Sequence, residues 1–213
     1  KIIAYLRAFG EKHGLETLVD EAGNVLIKKP ATPGMEGRKT VVLQAHIDMV
    51  CEKNKDVSHN FDTDPIETYI DGEWLRARGT TLGADNGIGV AAALAVLASS
   101  TIEHGPLECL FTVDEETGLT GAFRLQDGCL NGKQLINLDS EDDGQVFIGC
   151  AGGIDTLAKM HYEAKGLEAK GERLAIHLKV GGLMGGHSGD DINKGRGNAN
   201  KILVRFLYMV MQK

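Results

Sequence analysis

Four short segments hold the residue types that do chemistry: His46-Ile47-Asp48, Asp85 within a glycine-rich loop, Asp114-Glu115-Glu116, and Asp139-Ser140-Glu141-Asp142. Histidine with aspartate and glutamate, and without cysteine, is the ligand set of a hydrolytic zinc site. Two metals about 3.5–4 Å apart need a shared carboxylate, because a carboxylate bridges two ions where an imidazole does not. In an extended segment His46 and Asp48 point the same way. Asp48 is therefore placed to hold the imidazole in one tautomer and raise its basicity. Each residue has an ordinary alternative when taken alone. Residues 114–117 could be a solvated turn, Asp85-Asn86-Gly87 a turn signal, Asp139 a helix cap and His46 a hydrogen-bonded loop residue. Their joint placement is what favours a site.

That placement comes from the elements around them. Residues 107–113 form an apolar run rich in β-branched and aromatic side chains, which reads as a buried strand ending in three acids. Residues 40–45 read as a strand ending at His46, and residues 134–138 as one ending at Asp139. Open α/β sheets bind ligands in the crevice outside the carboxyl ends of their strands. The glycine-rich loop 79–87 opens a helix over residues 88–99 and brings Asp85 to the same edge. It lacks a Walker lysine and GxGxxG spacing, so it is not a phosphate loop. Hairpins are expected around Asp20-Glu21-Ala22-Gly23-Asn24 and Asp71-Gly72, and a further helix over residues 120–125.

The alternation predicts an α/β fold with a mostly parallel sheet and helices on both faces. After residue 149 the pattern changes. Thr156, Ala158, Met160 and Tyr162 alternate with polar residues, as do Leu174, Ile176, Leu178 and Val180. These read as half-buried antiparallel strands covered by a last helix with Ile202, Leu203, Phe206, Met209 and Val210 on one stripe. The division expected is a metal-binding catalytic domain over 1–150 and the start of a smaller α+β lid domain over 151–213.

Composition narrows the partners. A net charge of −7 over 213 residues argues against nucleic acid or an anionic membrane and suits a cation binder. The apolar run 89–98 is too short to span a bilayer. Cys51, Cys109, Cys129 and Cys150 show no CxxC spacing and read as reduced, mostly packing thiols of a cytoplasmic protein. His13, His59, His104, His161 and His177 read as surface residues. Both ends of the chain fall inside helical patterns, so it is expected to be a segment of a longer protein.

Four segments in order carry a family resemblance: Gln44-Ala45-His46-Ile47-Asp48-Met49-Val50-Cys51, the loop from Gly79-Thr80-Thr81 through Asp85-Asn86-Gly87, Asp114-Glu115-Glu116-Thr117-Gly118, and Asn137-Leu138-Asp139-Ser140-Glu141. They resemble the metal-site segments of the M20 metallopeptidases, in the aminoacyl-histidine dipeptidase branch. The resemblance implies two Zn2+, with Co2+ or Mn2+ as substitutes. His46 and Asp139 would bind one ion, Asp85 would bridge, and Glu116 would bind the other. Glu115 would be the general base and Asp48 the orienting acid. Gly185-Gly186-His187-Ser188-Gly189 resembles the lid motif whose histidine reaches the substrate carbonyl or oxyanion, with Asn193 and Arg196 close by in sequence. The implied substrate is a small dipeptide with C-terminal histidine, and a homodimer through the lid is a further expectation. The family's last metal ligand, a histidine toward the C-terminus, has no counterpart here, so the segment alone is expected to be inactive. The competing reading is a metal-dependent deacylase of N-acyl amino acids on the same scaffold.

Overall fold

Residues 107–113 are mostly apolar, and they form the middle of the sheet. In the computed structural model, which describes residues 1–140, 144–150, 152, 154, 156–163, 175–186 and 191–212, the strand Leu107–Thr112 is buried at every position. In chain order the strands are β1 (Glu16–Val19), β2 (Val25–Lys29), β3 (Val41–His46), β4 (Thr68–Asp71), β5 (Trp74–Ala77), β6 (Leu107–Thr112) and β7 (Gln134–Asn137). The helices are α1 (Ile2–Lys12), α2 (Ala84–Ala98), the single turns α3 (Glu115–Gly118) and α4 (Thr120–Phe123), and α5 (Ala199–Met211). The chain divides into two compact units, Lys1–Val146 and Phe147–Lys213.

In the first unit five strands form one sheet in the order β1-β2-β6-β3-β7. β6, β3 and β7 are mutually parallel, and the β1–β2 hairpin adds to β6 antiparallel. This is the mixed α/β fold, parallel at its centre, that the alternation predicts. One face carries α1 and α2: Leu6, Val90, Ala93 and Leu97 pack with Val25, Ile27, Ala45, Cys109 and Phe111. Small side chains let α2 come close. A Cβ at Gly89 would lie 2.7 Å from the Leu138 carbonyl, just past β7. On the other face Leu125 and Leu130, from the segment after α4, cover Leu26, Val42 and Leu110.

Glu108 is buried within β6, and a buried charge is tolerated only when it is hydrogen-bonded. Its carboxylate accepts from the Asn131 N–H at 2.9 Å, the Asn131 amide at 2.8 Å and the Gly132 N–H at 2.9 Å, which anchors the segment leading into β7. At the far ends of the same strands a polar row fixes the register. The Asn137 amide donates to Gln44 Oε1 at 2.5 Å, and the Gln44 amide donates to Thr112 Oγ1 at 3.0 Å. The three parallel strands therefore deliver their carboxyl ends to the same edge.

β4 and β5 form a separate two-stranded ribbon. In the second unit the structure departs from the sequence pattern. Residues 156–163 and 175–180 alternate correctly but form no strand. Met160 and Tyr162 are 87% and 83% exposed, so among the described residues no layer covers the face that the alternation would bury. The last helix is α5, but Phe206, Met209 and Val210 on its stripe stay exposed rather than covering a sheet. Leu174 lies outside the described residues. Two smaller expectations are also corrected. His104 is 8% exposed, not a surface residue, with its Nδ1 donating to the Gly105 carbonyl. Of the four free cysteines only Cys109 is buried, while Cys51 and Cys150 are exposed.

Candidate metal centre

His46 is the last residue of β3 and is 1% exposed. Its ring is held from below. Nδ1 lies 3.0 Å from the main-chain carbonyl of Asp48 and 3.4 Å from that residue's Oδ1. A carbonyl only accepts, so Nδ1 carries the proton and Nε2 of the neutral ring presents a lone pair. That lone pair faces Asp85 Oδ1 at 2.9 Å and Asp139 Oδ1 at 3.4 Å. Three acceptors then meet at one point, and only a shared proton or a cation resolves the conflict.

The titration behaviour has the same origin. Burial pulls the His46 pKa down, but the hydrogen bond to Asp85 and the charges of Asp139, Asp48 and Asp85 outweigh it and raise the pKa above 6.5. Burial, reinforced by Asp85 and opposed by His46, pushes Asp139 up to about 6. Glu116 is raised by burial and then by Asp85. Among the described residues no lysine or arginine pairs with any of these carboxylates. The cluster carries excess negative charge that a dication would relieve.

The donor set fits zinc. Two ligands on a tetrahedral zinc, each about 2.0–2.2 Å away, lie about 3.3–3.5 Å apart. The Nε2–Asp139 spacing of 3.4 Å matches this. Ligand atoms of His46, Asp85 and Asp139 lie within 4.8 Å of one another, and so do those of His46, Glu115 and Glu116. His46 is the member common to both groups. A pocket of about 300 Å³ opens beside it, lined by Asp85, Asn86, Leu138, Asp139 and Ser140 among others, at the lower end of the range for small-ligand sites.

Each carboxylate reaches the edge by a different local device. Asp85 sits in the first turn of α2 with φ/ψ of −86° and 110°, outside the helical range. Gly83 precedes it at φ 79°, a conformation glycine adopts freely. Glu115 and Glu116 begin α3 after Asp114, which adopts φ 58°. The Asp114 carboxylate accepts from Thr117 and Thr120, and these bonds, Thr117 first, hold its pKa below the usual value. Asp48 does more than the sequence shows. Its Oδ1 accepts the Glu115 N–H and its Oδ2 the Glu116 N–H, both at 3.0 Å. The closer contact to the imidazole comes from its main chain. Sequence reading had no signal for the carboxylate's bond to a loop 67 residues away.

The structure thus gathers His46, Asp48, Asp85, Glu115, Glu116 and Asp139 at one edge. His187, Ser188, Gly189, Glu141 and Asp142 lie outside the described residues. Asn193 and Arg196 belong to the second unit. There Arg196 donates to Asp191 at 2.8 Å and to the Gly185 carbonyl.

The model of peptidase family M20/M25/M40 matches residues 42–195, which include all six residues of the cluster. The chain belongs to that family. A metal cofactor follows from membership in this M20 metallopeptidase family, although the number and identity of its ions do not. The chain is 55% identical over 207 residues to the cytosol non-specific dipeptidase of Escherichia coli, covering 97% of this chain and 42% of that protein. Its fold matches the aminoacylhistidine dipeptidase of Vibrio alginolyticus with a TM-score of 0.70 at 49% identity, covering 97% of this chain and 42% of that one. It also matches the aminopeptidase PepT of Bacillus cereus, with a TM-score of 0.56 at 29% identity over 67% of this chain and 38% of that one. The chain therefore spans about 42% of the length of its dipeptidase relatives. Among the described residues no helix is long and apolar enough to cross a membrane.

Proposed function

We propose that the full-length protein hydrolyses the peptide bond of dipeptides, using two zinc ions held at the carboxyl edge of β3, β6 and β7. The observation that carries this reading is His46 Nε2 facing Asp85 and Asp139 at 2.9 and 3.4 Å, an arrangement that calls for a cation. In this reading His46, Asp139, Asp85 and Glu116 would hold the ions, with Asp85 shared between them. Bound zinc supplies Lewis acidity, which polarises the scissile carbonyl and lowers the pKa of water toward 7.

The remaining roles belong to the chain itself. Glu115 takes the proton of the attacking water and passes it to the leaving amine. Asp48 aims it by gripping its N–H and keeps the Nδ1 proton of His46 in place through its main-chain carbonyl. The lid-motif resemblance assigns His187, which lies outside the described residues, to hydrogen-bond the developing oxyanion. The Vibrio relative is named for aminoacyl-histidine substrates and the Escherichia coli one as non-specific. We take Xaa-His dipeptides as the preferred class and the cytoplasm as the compartment.

Paired substitutions test the site. Glu115→Gln should keep zinc while turnover falls at least about 10²-fold, the usual scale for losing a general base. Glu116→Gln should lose zinc as well as activity. The reverse pattern of metal content would overturn the assignment. On the wild-type protein, faster hydrolysis of an N-acetyl amino acid than of Ala-His would replace the dipeptidase reading with that of a deacylase.

A further inference from the structure

The β1–β2 turn holds a buried amide that the proposed chemistry does not use. Asn24 is 2% exposed. Its Oδ1 accepts the Val113 N–H at 3.0 Å, and its Nδ2 donates to the Gly121 carbonyl at 2.9 Å. Nδ2 also donates to Asp20 Oδ2 at 2.7 Å, while Asp20 Oδ1 accepts the Ala22 and Asn24 N–H groups at 2.9 and 2.8 Å. The amide is therefore fixed by its own turn before it reaches the end of the neighbouring strand β6.

Val113 and Gly121 are the two ends of the loop that carries Glu115 and Glu116. Their main chains also bond directly, the Gly121 N–H donating to the Val113 carbonyl at 3.1 Å. Space at the join is tight. A Cβ on Gly121 would lie 2.5 Å from the Val113 carbonyl and would press on Asn24 Oδ1. Asn24 thus satisfies one group on each side of the loop's base and holds it shut. Asp48 holds the loop's middle.

We infer that Asn24 is a positioning residue: it closes the base of loop 114–120 so that Glu115 keeps its aim at the metal centre. The inference rests on the proposed role of Glu115. It involves no contact between Asn24 and substrate or metal. An ordinary turn asparagine satisfies its own turn. This one spends its acceptor and one donor bond 89 and 97 residues away.

A double-mutant cycle in the full-length, zinc-loaded protein tests it. Asn24→Ala should lower kcat by about 10- to 100-fold, the scale of a catalytic group displaced by about 1 Å, with KM little changed. In a Glu115→Gln background the same substitution should lower kcat by less than about twofold, because the group it aims is already gone. In metal-free protein, amide exchange should accelerate across residues 113–121 while β2 and the rest of β6 keep their protection. Should Asn24→Ala not fold, Gly121→Ala forces the same join apart from the other side, with the same expectations. An equal loss of kcat in both backgrounds, or unchanged exchange over 113–121, would overturn the inference. A fully active Glu115→Gln would instead overturn the assignment of the base, and the exchange measurement alone would then decide the role of Asn24.

Discussion

Replacing Asp48 by asparagine should loosen loop 114–120 without unseating the imidazole. The two carboxylate oxygens of Asp48 each accept one N–H, from Glu115 and Glu116, at 3.0 Å. A hydrogen bond to a charged group contributes about 1.5–3 kcal/mol. The Asp48 side chain is 26% exposed, which lowers that to about 1–2 kcal/mol per bond. Asparagine retains one acceptor and turns a second donor toward the other N–H. One bond is lost and a donor–donor contact replaces it, so opening of the loop should become easier by about 1–3 kcal/mol. Amide exchange at Glu115 and Glu116 in the full-length protein should then rise by about 5- to 150-fold. The Asp48 carbonyl still receives the His46 Nδ1 proton at 3.0 Å, so zinc content should hold while turnover drops by about 10- to 100-fold. Unchanged exchange combined with loss of zinc would refute the reasoning, since the carboxylate would then act on His46 rather than on the loop.

Other expectations are simpler. Burial pushes the Cys109 thiol up to about 12 from 9.0. It should resist alkylation at pH 8 while exposed Cys51 and Cys150 react, and early labelling of Cys109 would show that the core opens. Because the folded-state value is raised, the associated stability is complete below pH 9 and is lost between pH 9 and about 12, by up to about 1.4 kcal/mol per pH unit. Denaturant unfolding of wild type and Cys109→Ala across that window should show a steeper loss in wild type, and equal slopes would contradict the burial of the thiol. His187→Ala should depress turnover and keep both zinc ions; a folded variant that lost zinc would make His187 a ligand instead. Chelation should abolish activity and lower the unfolding temperature, since a ligand bound only by the native state stabilises it, and an unshifted unfolding temperature would mean that metal binding is not coupled to this fold.

The first unit was legible because its strands are short apolar runs that end abruptly in polar chemistry. Residues 107–113 and 40–45 are mostly apolar, which points to the sheet interior, although Glu108, Thr112 and Gln44 need hydrogen bonds there. That β3, β6 and β7 run parallel follows from the intervening helical stretches, and parallel strands put His46, the Glu115 turn and Asp139 on one edge. What stayed hidden depends on long-range hydrogen bonds. Asp20-Glu21-Ala22-Gly23-Asn24 reads as an ordinary turn, and nothing local reveals that Asn24 binds Val113 at the end of the neighbouring strand. Asp48 reads as a partner of His46, and nothing local reveals its grip on Glu115 and Glu116. The second unit misled for the opposite reason. Residues 156–162 alternate as a strand should, but alternation yields a strand only when another layer buries one of its faces.

The most direct test of the central claim is anomalous scattering at the zinc edge from crystals of the full-length, zinc-loaded protein. Two peaks about 3.5–4 Å apart are expected. One should lie about 2.0–2.2 Å from His46 Nε2 and from an Asp139 oxygen, the other the same distance from a Glu116 oxygen, with Asp85 touching both. Peaks bound away from His46, or a zinc ligated by Glu115 in place of Glu116, would contradict it.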